Sequence, residues 1–177
     1  INAALVSLLI KSEYDKVKDL PIDPNHVLSK LNSMFIDKYL HLQTLFPCCI
    51  IDVYLNEERV VYSSAGHPQQ FILSTGAIKE FHIQNVVLGF SKDVEYKKIE
   101  LDFKMGDRII LFTDGLYESF IRNTKRSIGL DYLRESFLYF HTGSLKKDID
   151  NVISKIKDHC QKEIFDDDIT LIGIERK

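Results

Sequence analysis

Four consecutive apolar residues, Ile109, Ile110, Leu111 and Phe112, lie between a Gly106-Asp107 turn and Thr113-Asp114-Gly115. No other stretch constrains the chain as much. A run so short and uninterrupted predicts a strand buried on both faces. Its end delivers the Asp114 carboxylate on a rigid support, and Gly115 behind it lets another group come close. Taken alone, Asp114-Gly115 also reads as an ordinary turn. A second acidic cluster, Asp166-Asp167-Asp168, adjoins the apolar run Ile169-Thr170-Leu171-Ile172-Gly173-Ile174 and shifts that balance.

The rest of the chain supplies layers for such a strand. Ala4, Leu5, Leu8 and Leu9 recur at helical spacing and predict a helix from residue 3 to about 17 with that stripe buried. Asp23-Pro24 reads as a cap followed by proline at the first helical position. Val27, Leu28, Leu31, Met34 and Phe35 then trace one face of a second helix to about Tyr39. Both stripes are expected on one sheet face, as an antiparallel pair. From Cys48 the period shortens: strands are predicted at Cys48–Leu55, Arg59–Ser64, Gln70–Leu73, Ile78–Ile83 and Glu95–Phe103. Two more helices follow, Leu130–Phe140 and a longer one capped by Ser144, before the closing strand at Ile169–Ile174. Helices, hairpin-linked strands, helices and a last strand define an α+β fold with mainly antiparallel sheet, organised as a single domain over residues 1–177.

Composition narrows the function. A net charge of −3 gives no electrostatic footprint for nucleic acid, and the longest apolar runs are too short to span a bilayer. Cys48, Cys49 and Cys160 lack metal spacing and read as buried thiols of a reducing, cytoplasmic setting. Arg122-Asn123-Thr124-Lys125-Arg126 is a polar, basic loop. Asp114 and Asp166–Asp168 are hard oxygen donors, with no His or Cys nearby to favour zinc, and suit Mg²⁺ or Mn²⁺. Three adjacent aspartates repel one another, and a cation relieves the repulsion. Each cluster alone also reads as a solvated turn; together they favour a metal site. His67, in Gly66-His67-Pro68, is either a proton-handling residue or a turn histidine bonded to backbone.

Four motifs then occur in order. They are Val60-Val61-Tyr62-Ser63-Ser64-Ala65-Gly66-His67-Pro68, Leu88-Gly89, Gly106 to Ser119, and Asp167-Asp168-Ile169-Thr170-Leu171. The series, over essentially the whole chain, resembles the bacterial SpoIIE/RsbU-type branch of the metal-dependent PP2C-like (PPM) serine/threonine phosphatases. The resemblance implies an α-β-β-α sandwich of two mainly antiparallel sheets flanked by helices. It implies two Mn²⁺ or Mg²⁺ ions, with Asp114, Gly115, Asp167 and Asp168 as metal ligands, and Asp114 and Asp167 as the catalytic pair. It further implies hydrolysis of phosphoserine or phosphothreonine by a metal-activated water. The substrate would be a regulatory protein such as an anti-sigma-factor antagonist, under an upstream sensory domain. Oligomeric state is left open, a homodimer included.

One departure qualifies this expectation. Family members carry a further Asp and an Asp/Gly-His-Gly segment just before the first helix, and Ala3-Ala4-Leu5 resembles the residues directly after that segment. The N-terminal strands and half of the metal site are therefore absent from these 177 residues, whether or not a parent chain carries them, and these residues are expected to be inactive alone with their own site weakly filled or empty. The rival reading is a non-catalytic, pseudophosphatase-like module that binds a regulatory partner.

Overall fold

The computed structural model describes residues 3–177, which fall into two compact units. The first runs to His67 and resumes at His82–Phe103; the second comprises Pro68–Phe81 and Lys104–Lys177. Each is built on one antiparallel sheet flanked by helices. No helix among the described residues is long and apolar enough to cross a membrane.

In the first unit, α1 (Ala3–Tyr14) and α2 (Pro24–Tyr39) precede β1 (Cys48–Tyr54), β2 (Arg59–Ala65) and, after the second unit's first hairpin, β5 (Ile99–Asp102). Their order is β1-β2-β5, with Cys48 opposite Ala65 and Arg59 opposite Asp102. Pro24 starts α2 as expected, and Leu28, Leu31 and Phe35 are buried. Asp23 does not cap α2 with its side chain; its carboxylate is drawn instead to Lys98, 2.8 Å away. Buried Asn32 donates to the Ser91 carbonyl and accepts from the Gly89 amide, pinning the loop that carries Leu88 into the core.

Two expectations fail here for identifiable reasons. The buried face of α1 is not the Ala4, Leu5, Leu8, Leu9 stripe: Leu5 and Leu8 are exposed, while Val6 and Glu13 are buried. Residues 4–10 are apolar on nearly every side, so spacing cannot choose the face. Glu13 chooses it, accepting hydrogen bonds from Lys16 at 2.8 Å, Lys38 at 2.7 Å and Tyr39 at 3.1 Å, two of them on α2 or its end. The strand expected over Glu95–Phe103 shortens to β5. Asn85 brackets Lys97 with its amide and Ser63 Oγ donates to the Lys97 carbonyl, so side chains replace the ladder there.

In the second unit, β3 (Gln70–Ser74), β4 (Ala77–Phe81), β6 (Arg108–Phe112) and β7 (Leu171–Glu175) form a sheet of order β4-β3-β6-β7. β6 is buried at every position, as its sequence predicts, and sits between β3 and β7. α3 (Gly115–Glu118), α4 (Leu130–Tyr139) and α5 (Leu145–Cys160) pack over the sheet around Phe71, Ile110, Phe112, Leu133, Phe137 and Ile156. A Cβ on Gly173 would meet Leu145 and Ile149 at 2.9 Å, so glycine there lets α5 lie directly on β7. Ser144 starts α5 without a side-chain cap; Asp148, in the first turn, accepts from the Thr142 amide and from buried Arg108, which also bonds Glu175. All three cysteines are free, and burial pushes the Cys48 thiol up to about 12.

Burial alone would raise the Glu13 carboxyl; hydrogen bonds from Lys16, Lys38 and Tyr39 outweigh it and bring it from 4.5 down to about 2. A depressed folded-state pKa stabilises the fold above the unfolded value and loses that contribution as pH falls through the folded one. The stability advantage of wild type over Glu13→Gln is therefore expected to be full at neutral pH and to shrink as pH falls from 4.5 toward 2. Thermal melts across that range check this; a gap that does not change with pH would refute it.

Candidate metal centre

The candidate site is built where β6 and β7 run out together. Their ladder ends with Phe112 opposite Leu171, and the pairing continues one step further through Thr113. The Thr113 amide donates to the Thr170 carbonyl at 3.1 Å, and the Thr170 amide donates to Thr113 Oγ1 at 2.9 Å. Asp114 follows on one strand and Asp168 precedes by two residues on the other. A Cβ placed on Gly115 would lie 2.6 Å from the Asp168 carbonyl oxygen and 3.4 Å from Asp167 Cβ. Glycine is thus required by the close approach of the two segments, and the four candidate ligands, distant in sequence, share one end of the sheet.

A residue that sequence reasoning missed fixes this end from the other side. Gln70, fully buried at the start of β3, accepts from the Phe112 amide at 2.6 Å and donates to the Phe112 carbonyl at 3.2 Å. Its side chain takes over where the β3–β6 ladder stops, holding the last residue of β6 two positions before Asp114. Only its place at a strand start marks it in the sequence, and many surface glutamines share that.

The carboxylates are not equivalent. Asp166 accepts from the Phe120 amide at 2.8 Å and from Lys162 at 2.7 Å; Lys162, and behind it the Phe120 amide, holds it below the usual carboxylate range. It serves as a local tie. Asp114 caps α3 by accepting from the Gly115 amide at 3.0 Å, and Asp167 accepts from the Asp168 amide at 2.7 Å. Among the described residues, Asp114, Asp167 and Asp168 have no cationic side chain within ion-pair distance, and all three are exposed. The Gly115 carbonyl accepts from Ser119 Oγ at 2.9 Å. Asp166–Asp168 also line an open depression of about 610 Å³ with Lys157 and Phe165. His67 lies half-buried in the corner after β2.

These donors match a hard divalent cation in kind: carboxylate oxygens, uncompensated, on rigid supports. They do not complete its shell, because among the described residues no three His, Cys, Asp or Glu side chains converge closely enough to hold a metal. The residues fit one side of a site.

Two antiparallel sheets with flanking helices, and acidic strand ends brought together at the edge of one, place the fold with the PP2C phosphatase domains. The SiaA PP2C domain of Pseudomonas aeruginosa superimposes with a TM-score of 0.85 at 16% identity, over 98% of this chain and 70% of that one. The manganese-presoaked phosphatase domain of SpoIIE from Bacillus subtilis gives 0.62 at 14% identity, over 99% and 74%. Within that class, the family model for stage II sporulation protein E (SpoIIE) matches residues 1–177, and the chain belongs to this family of PP2C-like phosphatases. It is 28% identical to the phosphoserine phosphatase RsbU of Bacillus subtilis over its whole length, and spans 52% of that relative.

Replacing Gly115 by Ala forces a methyl against the Asp168 backbone, which has no side-chain freedom to yield. The expected cost is about 1–3 kcal/mol in urea unfolding, from separating the two segments. A Gly115→Ala chain as stable as wild type would mean that the close approach is not needed.

Proposed function

We propose that residues 1–177 are the C-terminal, larger part of a single metal-dependent phosphatase domain that hydrolyses phosphoserine or phosphothreonine on a regulatory protein. The observation that carries this reading is the meeting of Asp114–Gly115 with Asp167–Asp168 across the Thr113–Thr170 pair. Family membership and the likeness to a phosphoserine phosphatase support it. Asp114, Asp167 and Asp168 would hold Mn²⁺ or Mg²⁺ through their carboxylates and Gly115 through its carbonyl; Asp114 and Asp167 are the pair on which turnover depends. Bound there, a divalent ion lowers the pKa of water and offsets phosphate charge. The chain's own residues supply the rest: Gln70 and Thr113 fix the strand end, and the Asp166–Lys162 pair holds the acidic segment in register. The manganese-presoaked SpoIIE domain argues for this class of cation.

The donor set is one-sided, so the remaining ligands come from residues outside these 177, and this chain alone is inactive. The substrate is a small phosphorylated antagonist of an anti-sigma factor, under an upstream sensory region, in the reducing cytoplasm. The incomplete donor set also favours a second reading, a pseudophosphatase-like module that binds such a partner without turnover.

The test compares this chain with one extended upstream, in millimolar Mn²⁺, on p-nitrophenyl phosphate and a phosphoserine protein. Turnover is expected from the extended chain only, falling by at least about 10–100-fold with Asp114→Asn or Asp167→Asn. Equal turnover by both chains would overturn the account of the ligands. Tight partner binding with no turnover by either would favour the second reading.

A further inference from the structure

Directly after α3 the chain makes a short basic hairpin, Phe120–Ser127. Phe120 and Ser127 form an antiparallel bridge, and the Ile121 amide donates to the Arg126 carbonyl at 2.9 Å. Thr124 closes the tip: its hydroxyl donates to the Ile121 carbonyl at 2.8 Å and accepts from the Arg126 amide at 3.2 Å. Three further ties fix the hairpin in place. The Ile128 amide donates to the Ser119 carbonyl, the Arg122 amide to the Cys160 carbonyl at the end of α5, and the Phe120 amide to Asp166. A loop held this thoroughly has its direction set.

Its charge is unbalanced. Arg122, Lys125 and Arg126 are exposed, the segment holds no acidic residue, and among the described residues none of the three cations has a carboxylate partner. On a chain of net charge −3 this is a local concentration of positive charge. It stands beside the acidic segment: Asp166, whose carboxylate accepts from the Phe120 amide at 2.8 Å, is the immediate chain neighbour of Asp167.

We infer that this hairpin is a docking element that recognises an acidic protein surface around the phosphorylated residue, so that the substrate class is an acidic phosphoprotein. The inference rests on the phosphatase reading above. The arrangement has a physical logic. An aspartate-rich site repels an anionic substrate, and cations set rigidly to one side steer it in while leaving the site carboxylates uncompensated for their metal. Arginine contributes planar donors matched to carboxylate oxygens, and Lys125 a point charge between them.

The experiment uses two phosphoserine peptides, identical except for Asp/Glu or Ser/Gln flanks, labelled for fluorescence anisotropy and titrated with the upstream-extended chain in Mn²⁺. The acidic peptide is expected to bind about 10-fold more tightly at low salt, with the margin shrinking as salt rises. In the triple variant Arg122→Gln/Lys125→Gln/Arg126→Gln the ratio falls to about one, and triple charge reversal to Glu inverts it. Circular dichroism melts confirm that each variant is folded. Phosphate release gives the same comparison as a kcat/KM ratio. If no peptide is hydrolysed, the phosphatase reading fails while anisotropy still decides the docking inference. A ratio near one in wild type, or one that survives the Gln variant, overturns it. Equal binding of a single-stranded oligonucleotide of matched charge overturns it as well, by marking a general polyanion patch.

Discussion

The candidate site depends on the antiparallel pairing of β6 with β7 and its extension by one residue through Thr113 and Thr170. The two acidic segments have no reason to approach each other on their own, since like charges repel. What brings them together is a ladder of backbone hydrogen bonds buried under α5 and anchored by large apolar side chains. Phe112 and Ile110 are fully buried, and Gly173 lets the covering helix come close enough to exclude water. Buried backbone groups must find partners, so the ladder, once begun, fixes its register and carries both ends to one point.

Polar groups in the interior do the aligning. Gln70 replaces a missing ladder step, Arg108 joins β6 to α5 and β7 through Asp148 and Glu175, and Glu13 sets the rotation of α1 against α2. Each is buried and satisfied, and each sits where an apolar pattern would tolerate more than one arrangement. Removing a partner of Arg108 or Glu13 leaves a buried charge without compensation, and removing Gln70 leaves the Phe112 amide without its bond.

Much of the fold was legible in the sequence. The unbroken apolar run of β6, the Asp23-Pro24 start of α2 and the Ser144 start of α5 each correspond to an element within a few residues of its expected position. Less legible were elements whose limits depend on partners. The strand expected from Glu95 shrinks to Ile99–Asp102 because Asn85 and Ser63 satisfy Lys97 first. The α1 stripe was misplaced because an all-round apolar helix carries no directional signal, and a single buried glutamate decided its orientation.

The sequence by itself determined the residue types of the site: hard oxygen donors at strand ends, glycine beside one of them, and a family signature that orders them along the chain. Only the tertiary structure decided which of them already have partners. It tied Asp166, which the family motif already leaves aside, to Lys162 and Phe120, while Asp167 and Asp168 have no cationic partner among the described residues. It also set the basic hairpin beside them. Side-chain chemistry is written locally, but which carboxylate is already paired is a property of neighbours that arrive from distant parts of the chain.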